Sequence, residues 1–401
     1  MTDHMDKNKK RSIFSGLQIA TEQGLVKDQA VIIEDDKIVG IVPASMVQHH
    51  LPAQVHQFPE NYYLVPGFID LHVHGAKGKD VMDGTEEALT TISHTLAEEG
   101  VTGYLPTTMT AKKSVLDTTL STIANVMADQ PRRGAKILGV HLEGPFLSKE
   151  KRGAQHSAHM QPPTLGLLQH WQQLSKEAIK LVTLAPELPG AMEFIQTLRR
   201  MNIIASVGHT AANYQQVSEA IKAGCTQATH LFNAMSGIHQ REPGAAGTLL
   251  TSDLVTAEII VDGVHLHPII VDMIYKVKGH DRLLLVTDAM RAKCMGDGSY
   301  EFGGQSVHVN QGRATTPSGA LAGSTLRMPQ ALKNFMEFTR CSLAEALRTT
   351  SYVPARVLGL LTQKGTITVG KDADLVVLNN ELMVQMTIRE GEIIFSTKTT
   401  S

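Results

Sequence analysis

Two histidines one residue apart, His72 and His74, close the run Pro66-Gly67-Phe68-Ile69-Asp70-Leu71. Alternate residues of a strand share a face, so both imidazoles can turn toward one ion. Ordinary hydrogen bonds would satisfy such a pair equally well, and the weight comes from later segments. Glu143 follows Gly139-Val140-His141-Leu142, His209 follows Ile203-Ile204-Ala205-Ser206-Val207-Gly208, and His230 follows Thr226-Gln227-Ala228-Thr229. Imidazole nitrogen with carboxylate oxygen is the donor set that suits zinc or ferrous iron, with positions left for water and substrate. Asp288 ends Leu283-Leu284-Leu285-Val286-Thr287, where an unpaired acid would be costly and calls for a cation or a strong donor. Together these residues predict metal-assisted hydrolysis, the metal acidifying a water and a carboxylate taking and returning its proton. The competing role for Asp288 is an N-cap to a helix beginning at Ala289.

Such residues must be carried by elements that bring them to one place. From Tyr63 onward, apolar strands alternate with amphipathic helices, the pattern of βα units around a parallel sheet. Eight strands are predicted: Leu64–Leu71, Thr102–Thr107, Ile137–Leu142, Leu181–Ala185, Ile203–Val207, Gln227–Leu231, Thr256–Val261 and Leu283–Thr287. Helices are predicted at Glu86–Glu99, Ala191–Met201 and Tyr214–Ala223, among others. Eight repeats match a closed (β/α)8 TIM-like barrel better than an open sheet. In a barrel the C-terminal strand ends form one rim, and His72, His74, Glu143, His209, His230, Asp262 with His265, and Asp288 all fall at those ends.

Outside the barrel, residues 1–11 read as a frayed tail, Ile13 to Ala20 and Ala30 to Val42 as strands, and Asp35-Asp36 as a hairpin turn. Residues 291–323 suggest an inserted hairpin, Gly298–Phe302 with Gln305–Val309, and then a loop over the site. Helices follow at Met328–Thr339 and Leu343–Leu358. The closing strands, Gly365–Val369, Ala373–Leu378 and Val384–Phe395, are expected to pair with the N-terminal ones in a small β-sandwich domain built from both termini. The expected division is 1–62 and 361–401 for that domain and 63–360 for the barrel.

Composition narrows the partners. The 401 residues are 42% hydrophobic and 19% charged with a formal charge of −2, so no global pull toward nucleic acid exists and an anionic ligand must be gripped locally. Cys225, Cys294 and Cys341 lie far apart without Cys-X-X-Cys spacing, which fits a reducing cytoplasm. No apolar signal core and no run of about 18 uncharged apolar residues occurs, so neither secretion nor a membrane partner is expected.

The ordered motifs Pro66 to Gly75, His141-Leu142-Glu143-Gly144-Pro145-Phe146, Ser206-Val207-Gly208-His209-Thr210, Thr229-His230-Leu231-Phe232-Asn233-Ala234-Met235, Arg241-Glu242-Pro243-Gly244, Asp262-Gly263-Val264-His265, Val286-Thr287-Asp288-Ala289 and Leu321-Ala322-Gly323-Ser324 resemble those of the N-acetylglucosamine-6-phosphate deacetylase family of the amidohydrolase superfamily. The resemblance runs from about residue 12 to 395; Gly370 to Val377 matches only at superfamily level. It implies a metal-bound hydroxide as nucleophile and Asp288 as general base and acid, releasing acetate from an amino-sugar phosphate in N-acetylglucosamine catabolism. It also implies a divalent cation, Zn2+ or Fe2+, on Glu143, His209 and His230, and in some members a second on His72 and His74. Ala154, Gln155, Asn233, Ala234, His265, Leu321, Ala322 and Gly323 would meet substrate, and Arg241 would reach a partner's site across a homodimer. One departure stands out. Where many members read Gly-Ala-His or Gly-Thr-His, this chain has Gly153-Ala154-Gln155-His156, which leaves open whether Gln155 or His156 touches substrate.

Competing readings are a galacto-specific sibling, N-acetylgalactosamine-6-phosphate deacetylase, and another superfamily hydrolase such as a cyclic amidase. Many of the latter carry a carboxylated Lys at the fourth strand end, where this chain has Thr183-Leu184-Ala185-Pro186-Glu187. A metal-free scaffold is disfavoured by the retention of every ligand type together with Asp288.

Overall fold

The computed structural model describes residues 10–397. Eight parallel strands form the barrel: Phe68–Val73, Val101–Pro106, Val140–Glu143, Ile179–Leu184, Ile204–Val207, Gln227–Ala228, Thr256–Ile259 and Leu283–Leu285. Single parallel bridges complete the ring, Thr107 to His141 between the second and third strands and Val73 to Ala289 between the first and eighth. Asp70 reinforces that closure from inside. Its fully buried carboxylate accepts Thr287 Oγ1 at 2.6 Å and the backbone N–H groups of His72 and Thr287.

The outer helices follow local rules. Tyr214–Ala223 starts on a capping box between Asn213 and Gln216, buries Val217 and Ala220, and stops at Gly224, whose φ of +127° suits glycine. The predicted Leu343–Leu358 helix is α at Leu343–Leu347, widens to a π turn over Arg348–Tyr352, and is α again at Val353–Val357. Pro354, lacking an N–H, cannot close an ordinary α hydrogen bond to Thr350, which is where the widening falls.

A six-stranded sheet joins both ends of the chain. Gln18–Thr21, Gly24–Val26 and Tyr63–Pro66 lie in it with Leu375–Leu378, Val384–Arg389 and Glu392–Ser396. It packs on a four-stranded sheet, Arg11–Ser15, Gln29–Glu34, Lys37–Pro43 and Gln54–Gln57, through Phe14, Ile19, Ile33, Leu64, Leu375 and Ile388. The hairpin at Asp35-Asp36 is present.

Several expected boundaries are corrected. The strand read as Leu64–Leu71 breaks at Gly67; Tyr63–Pro66 pairs with Leu375–Leu378 in the small sheet, and only Phe68 onward enters the barrel. A Cβ at Gly67 would sit 2.2 Å from Thr102 Oγ1, so the chain crosses there only as glycine. Gly365–Val369 is not a strand: Gly365 has φ +91° and lies against Ala355, where a Cβ would approach to 2.7 Å. The tail read as 1–11 covers nine residues outside the described ones, and Arg11 already pairs with Glu34. The inserted hairpin gains a third strand, Arg313–Thr315.

Candidate metal and substrate site

The rim polar residues converge. Glu143, last residue of the third strand, places Oε1 3.1 Å from His209 Nε2 and 3.2 Å from His230 Nε2, and those two nitrogens are 3.1 Å apart. His72 and His74 bring their Nε2 atoms to 3.2 Å from each other and to 3.4 and 3.2 Å from Asp288 Oδ1. The other oxygen of Glu143 faces this second pair at 3.6 and 3.4 Å, so one carboxylate stands between both groups. His209, His230 and Asp288 hold φ values of +46°, +31° and +46°, a region non-glycine residues occupy at a cost of about 1–3 kcal/mol each. Three such residues at one rim show side-chain direction taking precedence over backbone comfort.

The outward nitrogens decide the tautomers. His209 Nδ1 lies 2.9 Å from the Lys151 carbonyl and His74 Nδ1 3.1 Å from that of Thr107, and a carbonyl can only accept. Those Nδ1 atoms therefore carry protons, and whenever Nε2 is unprotonated its lone pair turns inward, against other nitrogens and carboxylates. Such an arrangement repels itself unless positive charge lies between. The separations match the ~3.3 Å edge of a tetrahedron built on bonds of about 2.0 Å. Burial disfavours the imidazolium of His74, yet Asp288 and Glu143 outweigh it and lift its pKa to about 9. Burial likewise opposes ionisation of Asp288, but His72 and His74 bring it down to about 2. The site draws cations, and its donors fit a divalent metal.

Around these groups lies a pocket of about 370 Å3, within the ~300–1,000 Å3 usual for ligand sites. Ala154, Gln155, Asn233, Ala234, His265, Leu321 and Gly323 line it with the ligands and Asp288. His265 is held by Asp262, whose Oδ2 accepts its Nδ1 at 2.7 Å. Ala322 is buried behind the wall in the core of the inserted strands, and Arg241 stands exposed on its loop without lining this pocket. Gln155, 2% exposed, donates Nε2 to Glu143 Oε2 at 2.7 Å and accepts the Thr110 N–H at 2.7 Å, while His156 opens onto a neighbouring hollow. In this structure Gln155 therefore steadies the shared carboxylate.

A family model for the amidohydrolase family matches residues 63–394. This chain belongs to the amidohydrolase family. Within it, the chain is 41% identical over 392 residues to N-acetylglucosamine-6-phosphate deacetylase of Bacillus subtilis (strain 168), covering 96% of this chain and 98% of that one. It is 36% identical over 381 residues to N-acetylgalactosamine-6-phosphate deacetylase of Escherichia coli O157:H7, covering 95% and 98%. The crystal structure of the Pasteurella multocida N-acetylglucosamine-6-phosphate deacetylase superposes with a TM-score of 0.90 at 32% identity, covering 96% and 99%. These amidohydrolase relatives span essentially the whole chain.

Sequence reading missed Glu258 and Phe302. Glu258 is fully buried and accepts from His72 Nδ1 at 3.1 Å; its signal was an acid inside the apolar run Thr256-Ala257-Glu258-Ile259-Ile260. Phe302, from the inserted hairpin, sets its ring edge-to-face on His74 with centroids 5.1 Å apart. No local pattern marks it, because the contact depends on where a distant hairpin lands.

Proposed function

We propose that this chain hydrolyses the acetamide of N-acetyl-D-glucosamine 6-phosphate to D-glucosamine 6-phosphate and acetate. The observation that carries the reading is Asp288 beside a convergent imidazole and carboxylate set at the floor of a pocket. The relatives' shared activity gives the substrate class. Glu143, His209 and His230 would hold the principal divalent cation, and His72 with His74 a second; zinc is our choice and ferrous iron the alternative. A cation bound there supplies acidification of water and polarisation of the acetyl carbonyl. Asp288 takes the proton of the attacking water and delivers it to the amide nitrogen as the C–N bond breaks. Asn233, Ala234, His265 and the loop Leu321 to Gly323 orient the sugar phosphate. The free cysteines and the charge balance support a cytoplasmic enzyme.

Arg241 is exposed and does not line the pocket of its own chain, exposed Ile238 stands three residues before it, and exposed Tyr214 donates its N–H to the adjacent Glu242. These features support a two-fold dimer in which each Arg241 grips the phosphate in the other subunit's site. Mixing Arg241→Ala with Asp288→Asn subunits should restore part of the activity that each lacks alone, since one site of the heterodimer then carries neither lesion. No recovery after verified subunit exchange, or a monomer at assay concentration, refutes sharing. The galacto-specific reading has its own support in the Escherichia coli relative. Acetate release from both phosphorylated epimers and from unphosphorylated N-acetylglucosamine tests the whole proposal; absence of release from the gluco phosphate by metal-replete protein defeats it.

A further inference from the structure

We infer that Glu258 is a positioning residue for His72, fixing the direction in which the Nε2 of that ring faces the site. This rests on the two-ion reading above. Glu258 is fully buried in the seventh strand, and its carboxylate gathers three donors: Gln227 Nε2 at 2.5 Å, His72 Nδ1 at 3.1 Å and the His230 backbone N–H at 3.4 Å. Its own carbonyl accepts the Leu231 N–H at 2.8 Å, tying the seventh strand to the turn that carries His230. With His72 Nδ1 committed to that acid, the ring cannot rotate and its Nε2 lone pair must face His74, Glu143 and Asp288. A ligating histidine held by a carboxylate on its far nitrogen is a stronger and better aimed donor, and loss of that carboxylate costs about 10–100-fold in metal affinity.

His72, His141 and Glu258 also lie close enough to suggest a separate ion site, but their atoms are otherwise engaged. His141 Nε2 is 2.7 Å from Thr183 Oγ1, its Nδ1 is 3.2 Å from the Leu71 carbonyl, and the carboxylate already has its donors. This cluster is a hydrogen-bonded support.

The test challenges zinc-loaded protein with a graded series of chelators and counts the ions retained. Wild type should lose two ions at two thresholds, and His72→Asn identifies which threshold belongs to the His72 and His74 side. Glu258→Gln should weaken that threshold about 10–100-fold and leave the other in place. Gln227 Oε1 has no hydrogen-bond partner among the described residues, so Gln227 can turn its amide to meet the new one and the fold should survive, as circular dichroism would record. The swapped variant, Glu258→Gln with Gln227→Glu, keeps an acid and amide pair buried in the same place. Continued weakening in the swap supports positioning of His72, whereas full restoration means that the pair matters only for packing and overturns the inference. An unchanged threshold in Glu258→Gln, equal loss of both ions, or a wild type that holds a single ion also overturns it. Acetate release by wild type is measured separately, so failure here leaves the deacetylase reading standing or falling on its own assay.

Discussion

Asp288 owes its role to its neighbours. Its carboxylate stands 3.2 Å from His74 and 3.4 Å from His72 at a buried strand end, where it can meet a water held by the same groups. Asp288→Asn keeps the shape and loses the proton acceptor, so turnover should fall by ~2–4 orders of magnitude while elemental analysis finds the metal still bound. Near-wild-type turnover in a metal-replete variant would remove Asp288 from the chemistry. The imidazoles rank differently. Glu143, His209 and His230 already form a three-donor set, so His209→Gln or His230→Gln should strip the principal ion, whereas the His72→Asn, His74→Asn double variant should retain one. A metal-free double variant would reverse that ranking.

At the level of elements, the barrel's outer ring is fastened by polar staples as well as by its core. Asp117 in the helix Lys113–Ala128 accepts Trp171 Nε1 at 2.9 Å from the helix Leu165–Leu174, and lies 3.0 Å from His170. Burial works against its charge, yet Lys113, His170 and Trp171 together hold its pKa below the ordinary 3.8. A depressed folded value means that this stability is fully present above 3.8 and drains away as pH falls through the folded pKa. Asp117→Leu should flatten the acid limb of the stability profile and, by leaving the Trp171 N–H unpaired, cost about 1–3 kcal/mol at neutral pH. Trp171 is the single tryptophan, so denaturant melts followed by its fluorescence read the contact directly. An acid limb identical to wild type would mean that the carboxylate contributes nothing.

Across the whole molecule, the two chain ends are locked together by a buried charge cluster. Lys364 Nζ lies 2.6 Å from Asp372 and 2.7 Å from Asp374, all three nearly buried. Asp372 also pairs with Lys37, and Asp374 accepts the Glu390 N–H at 2.7 Å while its carbonyl takes that of Gly67. One lysine thus joins the N-terminal hairpin, the C-terminal strands and the entry to the barrel. Lys364→Met should strand two carboxylates in the interior and destabilise the fold by ~3–5 kcal/mol, seen as a lower unfolding midpoint. Replacing Asp372 and Asp374 by Asn in the same background should return part of the loss; if it does not, the cost lies in packing.

The barrel and most of its rim were legible from sequence because both rest on periodicity. Apolar strands and amphipathic helices repeat at short range, and a strand's end is a local property that already places His72, His74, Glu143, His209, His230 and Asp288 on one edge. Local pattern could not say that Tyr63–Pro66 belongs to the small sheet, since that depends on pairing with Leu375–Leu378 some three hundred positions later. Nor could it say that Gln155 would turn to Glu143, or that Glu258 would stand behind His72. Those facts arise where buried polar groups must find partners across strands. Sequence determines which side chains reach the rim. Only the closed barrel decides which of their nitrogens and oxygens face one another, because that choice is made by the hydrogen bonds on the far side of each ring.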